Sequence, residues 1–243
     1  MLKPLSLPQS LQPHSSAAAE RLGVMCWNTQ KCTLSRAFMQ RLQWLMHHYP
    51  TQLLLLQEAK MPVGQRLNLA GLSWMMAPNI QTRRHHFGVV TASELAFEDA
   101  TALLSQHREL QFATHKSVML SEHLFAGERV LVANVHSVNF VHHRRFLAEM
   151  ESLIDYLQAH RGPMVVAGDF NVWSRRRQRY LARFTELTGL RQAVMENPHH
   201  IKQVFRQPLD FIFYRGLQLD SATAIDTDLL SDHNPIYARF LPL

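Results

Sequence analysis

From Gly23 onward, short apolar runs alternate with segments in which apolar residues recur at helical spacing. Residues 24–27 form an apolar run and predict a strand. Over residues 36–49, Phe38, Leu42, Leu45 and Met46 fall on one helical face, and Pro50 ends the helix. Residues 52–57 carry four successive leucines, the pattern of a strand covered on both faces. Residues 86–91 and 116–122 predict strands. A turn at Gly127 joins the second of these to a strand over 128–136 as a hairpin. The strongest helical signal spans 144–160, where Phe146, Met150, Leu153 and Leu157 align, with Leu147 and Ile154 beside them. After Gly162 and Pro163, residues 164–167 read as a buried strand. Residues 175–187 repeat the helical pattern through Tyr180, Leu181, Phe184 and Leu187, with Gly189 as C-cap. Strands over 209–213 and 236–240 close the chain.

Strands thus outnumber helices and several are joined as hairpins, which excludes a purely parallel doubly wound sheet and predicts a mixed α/β fold. No segment has the composition of a linker, so residues 21–243 are expected to form one domain. Residues 1–20 hold Pro4, Pro8 and Pro13 among scattered leucines. Prolines interrupt the apolar core of a secretory signal, and the expectation is a flexible or surface-hugging arm.

Composition narrows the class. Of 243 residues, 47% are hydrophobic, which excludes a mainly disordered chain, and no apolar run approaches the length of a membrane span. Nine glycines without a repeating period exclude collagen-like and solenoid architectures. Lys and Arg number 25 against 19 Asp and Glu, a net charge of +6, which favours polyanionic partners but by itself fits plain solubility. Two cysteines, Cys26 and Cys32, are too few for a disulfide scaffold, so a reducing, cytoplasmic setting is expected. A monomer is the expected state.

The polar residues of chemical interest close apolar strands, where loops present them without burying them unpaired. Asn28 ends the first run, in Cys26-Trp27-Asn28-Thr29-Gln30, and Gln57-Glu58 ends the leucine run. A carboxylate in such a place, if buried, has to be paired, protonated or metal-bound. In Ala133-Asn134-Val135-His136, alternation puts Asn134 and His136 on one face. Gly168-Asp169-Phe170-Asn171 offers a carboxylate and an amide two residues apart, suited to a metal-bound water and a phosphate oxygen. Ser231-Asp232-His233-Asn234-Pro235 sets an acid beside a histidine. Asp210, in an apolar setting, could orient His233 through a ring nitrogen. Each fragment alone is weak: a post-strand Asn or a Gly-Asp pair is common in turns, a strand-end Glu is more often solvated, and a single His is more often structural.

Taken together and in this order, Asn28, Gln57-Glu58, Asn134-x-His136, Gly168-Asp169-Phe170-Asn171, Asp210 and Ser231-Asp232-His233-x-Pro235 resemble the endonuclease/exonuclease/phosphatase superfamily. The match runs from Val24 to the C-terminus and is most specific at Gly-Asp-Phe-Asn and Ser-Asp-His-x-Pro. The resemblance implies a four-layer α/β/β/α sandwich of two mixed β-sheets flanked by helices, with the active site at one end. It implies that Glu58 is the principal Mg²⁺ ligand, with Asn28 and Asp232 close to the metal and Mn²⁺ as the alternative ion. A hard oxygen site with few protein ligands suits Mg²⁺. It also implies that Asp169 orients or deprotonates the attacking water and that Asn171 holds a phosphate oxygen. His136 and His233, the latter paired to Asp210, would flank the scissile phosphate. One departure stands out. Deoxyribonuclease-like members give the first histidine an acidic partner on a neighbouring strand, whereas the corresponding region here reads Arg83-Arg84-His85-His86-Phe87-Gly88, without an acid.

The expected reaction is hydrolysis of a nucleic-acid phosphodiester. Arg83-Arg84, His142-His143-Arg144-Arg145 and the run Arg175-Arg176-Arg177-Gln178-Arg179 all fall within a few residues of the motifs and are expected to rim one cleft. Arginine contacts to phosphates position a backbone without reading its sequence. Cations at a helix start oppose the helix dipole, which favours a functional reason for the last run. Trp27 and Trp173 are candidate base-stacking groups. The alternative is a phosphohydrolase of a phospholipid, inositol phosphate or small phosphoester. A membrane-facing enzyme is expected to expose an apolar loop or hairpin, and the sequence shows no clear one. The intact set of Glu58, Asp169, Asn171, Asp232 and His233 argues against a binding module with a vestigial site.

Overall fold

Two β-sheets face each other across an apolar core, and helices cover their outer faces. A computed structural model describes residues 8–12, 20–64, 67–104, 117–137 and 143–243, with the backbone alone for residues 104, 143–145 and 149. In chain order the elements are β1 (Gln9–Ser10), β2 (Leu22–Asn28), α1 (Arg36–His48), β3 (Leu53–Pro62), β4 (Ser73–Gln81), β5 (His85–Ser93), β6 (Phe97–Leu104), β7 (Ser117–Phe125), β8 (Glu128–His136), α2 (His143–Ala159), β9 (Met164–Asp169), α3 (Arg175–Thr188), β10 (Arg191–Gln192), β11 (Gln203–Val204), β12 (Gln207–Pro208), β13 (Asp210–Arg215), β14 (Leu217–Ala224) and β15 (Ile236–Pro242). A 3₁₀ turn at Pro198–His200 lies between β10 and β11.

The first sheet runs β1-β4-β5-β3-β2-β15-β14 and the second β10-β13-β9-β8-β7-β6. Each holds one parallel pair, β2 with β3 and β8 with β9, and their remaining pairings are antiparallel. A helix connects the strands of each parallel pair, as a parallel crossover requires. The fold is therefore the four-layer sandwich of two mixed sheets that the resemblance implies. The strand orders β4-β5-β3-β2-β15-β14 and β10-β13-β9-β8-β7-β6 also correspond position for position, so the molecule is two halves of like topology. The first half borrows its last two strands from the far end of the chain: β15 pairs with β2, Leu22 opposite Phe240.

Local sequence explains the elements. Ser35 caps α1 by accepting from the Phe38 N–H, and Phe38, Leu42 and Leu45 bury its inner face against the first sheet. Ser174 caps α3 in the same way, and Gly189 ends it in the left-handed conformation. The β7–β8 hairpin turns on Ala126 and Gly127, both with positive φ, as a two-residue hairpin turn demands. Gln9–Ser10, from within the expected arm, pairs with β4 at the edge of the first sheet. No helix among the described residues is long and apolar enough to cross a membrane.

Candidate active site

Strand alternation brings the polar residues to one rim. The stripes Val24–Cys26–Asn28, Leu53–Leu55–Gln57, Val132–Asn134–His136 and Val165–Ala167–Asp169 take every second position of β2, β3, β8 and β9. Their apolar members fill the core between the sheets, and each stripe ends on a buried polar residue. Asp210 opens β13 directly opposite Asp169. Gly168 lets β9 lie close to β8 here, because a Cβ at this position would fall 1.8 Å from the Val135 carbonyl oxygen.

Asp169 is the hub. Its Oδ2 accepts from Asn28 Nδ2 at 3.0 Å, across the gap between the sheets, and its Oδ1 accepts from the Asn171 N–H at 3.0 Å. His136 Nε2 lies 3.8 Å and His233 Nε2 4.0 Å from the same Oδ2. His233 is held on its other side by Asp210, with Nδ1 and Oδ2 at 2.8 Å. Burial pulls the His233 pKa down, but Asp210 above all, with Asp169 and Asp232, outweighs it and pushes it up to about 9. Asp210 Oδ1 is buried with no hydrogen-bond partner among the described residues.

Glu58 reaches the site by a different route. The β3–β5 register shifts between Leu56 and Ala59, and Glu58 sits in this bulge at φ 50°. The bulge adds an acid beyond the last residue of the stripe, Gln57, and leaves its side chain 25% exposed at the mouth. There Glu58 lies 3.7 Å from both Lys31 Nζ and His136 Nε2. Beneath it Gln57 Nε2 donates to Asn134 Oδ1 at 2.7 Å, and Asn134 Nδ2 donates to the Val90 carbonyl at 2.8 Å, a buried amide bridge between the sheets. Asn171, at φ 51°, donates through Nδ2 to the Ser137 carbonyl at 3.1 Å.

The structure therefore brings together Asn28, Glu58, His136, Asp169, Asn171, Asp210 and His233. Asp232 stands apart from the buried group: its side chain is 45% exposed and 3.3 Å from Lys202 Nζ. Arg83 and Arg84 are exposed in the turn between β4 and β5, and β5 there pairs with the strand that carries Glu58. Arg175 and Arg176 are exposed in the first turn of α3, just after Asn171. Arg144 and Arg145 fall in α2, but their side chains lie outside the described residues, as does His142 entirely. Two expectations are corrected. Arg177 does not face solvent phosphate: it is 2% exposed, donates to the Asn171 carbonyl at 2.8 Å, and has the Phe146 and Trp173 rings at 4.5 and 5.0 Å. Helical phase sets this, since Arg177 shares the buried stripe of Leu181, Phe184 and Thr188. Trp27 is not open to a base. It is buried against Phe38, and its Nε1 donates to the His233 carbonyl at 2.9 Å.

Sequence reading gave no role to two serines that fix the loops. Ser231 donates to the Asn28 carbonyl at 2.7 Å and accepts from the His233 N–H, and Ser137 donates to the Phe170 carbonyl. Their signal was adjacency alone, each lying one or two residues from a histidine of the site. Asp169, Asp210 and His233 offer ligand atoms within 4.8 Å of one another, close enough to hold a cation in common. His233 Nδ1 and Asp210 Oδ2 are already joined, however, and both Asp169 oxygens accept amide N–H groups. This favours proton handling for the trio.

Over residues 25–233 the chain matches the Endonuclease/Exonuclease/phosphatase family. Its relatives include the UPF0294 protein of Yersinia pestis, 34% identical over 92% of this chain and 85% of the relative. Another, from Yersinia enterocolitica serotype O:8, is 33% identical over 97% and 90%. Solved structures of like fold include an endonuclease/exonuclease/phosphatase family protein from Leptotrichia buccalis, with TM-score 0.67, 12% identity, and 90% and 99% of the two chains covered. The human Nocturnin catalytic domain with bound sulfate anion aligns with TM-score 0.63 and 16% identity over 98% and 97%.

Proposed function

Because the chain belongs to the endonuclease/exonuclease/phosphatase family, whose members are metal-dependent hydrolases of phosphoester bonds, we propose that it is a phosphodiesterase acting on nucleic acid. In the proposed reaction a water attacks phosphorus, and the ester P–O bond opposite it breaks. Asp169, fixed by the Asn28 and Asn171 N–H groups, orients the water and takes its proton. Asn171 spends one amide N–H on Ser137 and presents the other to a nonbridging oxygen. His233, held by Asp210 and charged at neutral pH, stabilises the added negative charge at five-coordinate phosphorus and gives its Nε2 proton to the leaving oxygen. His136 faces the same centre from the second sheet.

Glu58, Asn28 and Asp232 would hold Mg²⁺ or Mn²⁺. Glu58 and Asn28 fit: both offer oxygen at one rim, and the partly exposed Glu58 leaves room for an ion that retains several waters, whereas Asp232 would first have to leave Lys202. Bound there, the ion supplies Lewis-acid polarisation of the phosphate and neutralises its charge.

The observation that carries the substrate class is the pair of exposed arginines, Arg175 and Arg176, immediately beyond the Asn171 loop in a helical turn without an acid. Arg83 and Arg84 extend the basic rim on the first sheet. Incubation with plasmid DNA, RNA, abasic duplex and phosphoinositides, each with Mg²⁺ or EDTA, tests the reading. Metal-dependent cleavage of nucleic acid is expected, and Arg175→Ser with Arg176→Ser should flatten the salt dependence of binding by about one to two units of slope. Turnover of phosphoinositide alone, or an unchanged salt slope, would move the substrate to a lipid or small phosphoester.

A further inference from the structure

Ser117, Met119, Ser121 and His123 take alternate positions of β7 and share one face. Met119 clusters with Ala77 and Val89 of the first sheet, and His123 Nδ1 is 3.3 Å from Ser93 Oγ of that sheet, so this face looks into the gap between the sheets. The two serines are equally buried, each 1% exposed. Ser121 Oγ lies 2.9 Å from His123 Nε2. Ser117 Oγ is buried with no hydrogen-bond partner among the described residues. A buried hydroxyl left unpaired destabilises the fold, so its presence calls for a reason.

Its place in the sheet supplies one. β7 and β8 are antiparallel, with Met119 opposite Asn134 and Val118 opposite Val135. One step further along this ladder Ser117 comes level with His136, on the same face. Residues so placed have Cβ atoms about 5 Å apart, within reach of a hydroxyl and a ring nitrogen. His136 is buried at the rim, and its Nε2 is 3.7 Å from Glu58 and 3.8 Å from Asp169, beyond the hydrogen-bond range of either. At these distances the acids attract the ring without fixing its direction.

We propose that Ser117 is a positioning residue for His136. When phosphate draws the imidazole from the two acids, the Ser117 hydroxyl bonds the ring nitrogen turned away from substrate and fixes the ring in the direction that meets a phosphate oxygen. A hydroxyl both donates and accepts, so it serves either tautomer. The free protein gives up stability at Ser117, and the filled site regains it. The inference deepens the phosphodiesterase reading and rests on it.

Two like substitutions on one strand are expected to have opposite signs. Ser117→Ala removes an unpaired hydroxyl and should keep or raise the melting temperature, whereas Ser121→Ala strips a partner from His123 and should lower it by about 2–4 °C. With bis(p-nitrophenyl) phosphate and Mg²⁺, Ser117→Ala should lower kcat by about 10- to 100-fold with KM little changed, and Ser121→Ala should leave kcat intact. In a His136→Ala background, Ser117→Ala should change kcat by less than about twofold, the mark of action through the histidine. Imidazole nitrogen resonances, recorded with Mg²⁺ and inorganic phosphate, should differ at His136 between the natural protein and Ser117→Ala and coincide at His233. An unchanged kcat, an equal loss in the His136→Ala background, or coincident His136 resonances overturn the assignment and leave the phosphodiesterase reading standing. A lowered melting temperature for Ser117→Ala makes the hydroxyl a support of the fold and overturns the assignment too. Failure of the natural protein to hydrolyse any phosphodiester overturns the phosphodiesterase reading, and the His136 resonances then decide the contact alone.

Discussion

The two halves share a strand order, and their parallel pairs close in the same way. The Thr29 N–H donates to the Gln57 carbonyl at 2.9 Å, and the Ser137 N–H donates to the Asp169 carbonyl at 3.0 Å. In each half the first strand of the pair ends on a residue that faces an acid of the other half: Asn28 bonds Asp169, and His136 lies beside Glu58. The halves differ in where they put that acid. In the second, Asp169 takes the last place of the stripe, is buried, and has both oxygens engaged by N–H groups. In the first, an amide, Gln57, takes that place, and the acid is pushed one residue outward onto a strained bulge at the mouth. A duplicated framework thus yields two unlike carboxylates. In the proposed reaction the buried one manages a proton, and the open one would meet a hydrated cation.

Matched isosteric changes break this comparison most severely. Glu58→Gln and Asp169→Asn are each expected to lower kcat on a phosphodiester by about a thousandfold or more. Raising Mg²⁺ or Mn²⁺ should recover activity in Glu58→Gln and leave Asp169→Asn unrepaired. Metal-response curves for the two variants decide it, and superimposable curves would erase the distinction between the acids.

A smaller effect comes from a support that belongs to the second half. Arg177→Leu removes the bond to the Asn171 carbonyl and the contacts with two rings, and should cost about 2–3 kcal/mol. Arg176→Leu, one residue away but exposed, should stay within about 0.5 kcal/mol. Urea midpoints at constant m-value measure both. An equal response would place Arg177 among ordinary surface residues.

The mildest test is pH. Although burial lowers it, the Asp210 carboxylate pushes the His233 pKa up to about 9 in the folded chain, above the ordinary histidine value of 6.5. Because the folded value is the higher, its charged form contributes full stability below about pH 6.5. That contribution fades as pH rises through 9. Imidazole NMR of EDTA-treated protein and denaturation at several pH values follow this. A midpoint below 7 would detach His233 from its acid partner.

Legibility in the sequence followed physical cause. Asn28, His136 and Asp169 end alternating runs, so polarity and period together mark the rim. The bulge at Glu58 left no such mark, because a positive φ at a glutamate has no compositional signature. Arg177 was hidden by its neighbours: three successive arginines read as one basic face, while helical phase buries the third. Strand β4 was missed because Trp74, Met75 and Met76 are apolar on both faces and Pro78 interrupts the run. The edge strands β6 and β14 carry mixed polarity that gives only a weak period.

The pairing of β15 with β2 sets a timetable on the ribosome. Leu22 leaves the exit tunnel roughly 200 residues before Phe240, a delay on the order of ten to forty seconds at ordinary elongation rates. Throughout that interval one side of a strand destined for complete burial has no partner to bond with, an aggregation hazard that nascent chains of this topology carry until β15 emerges.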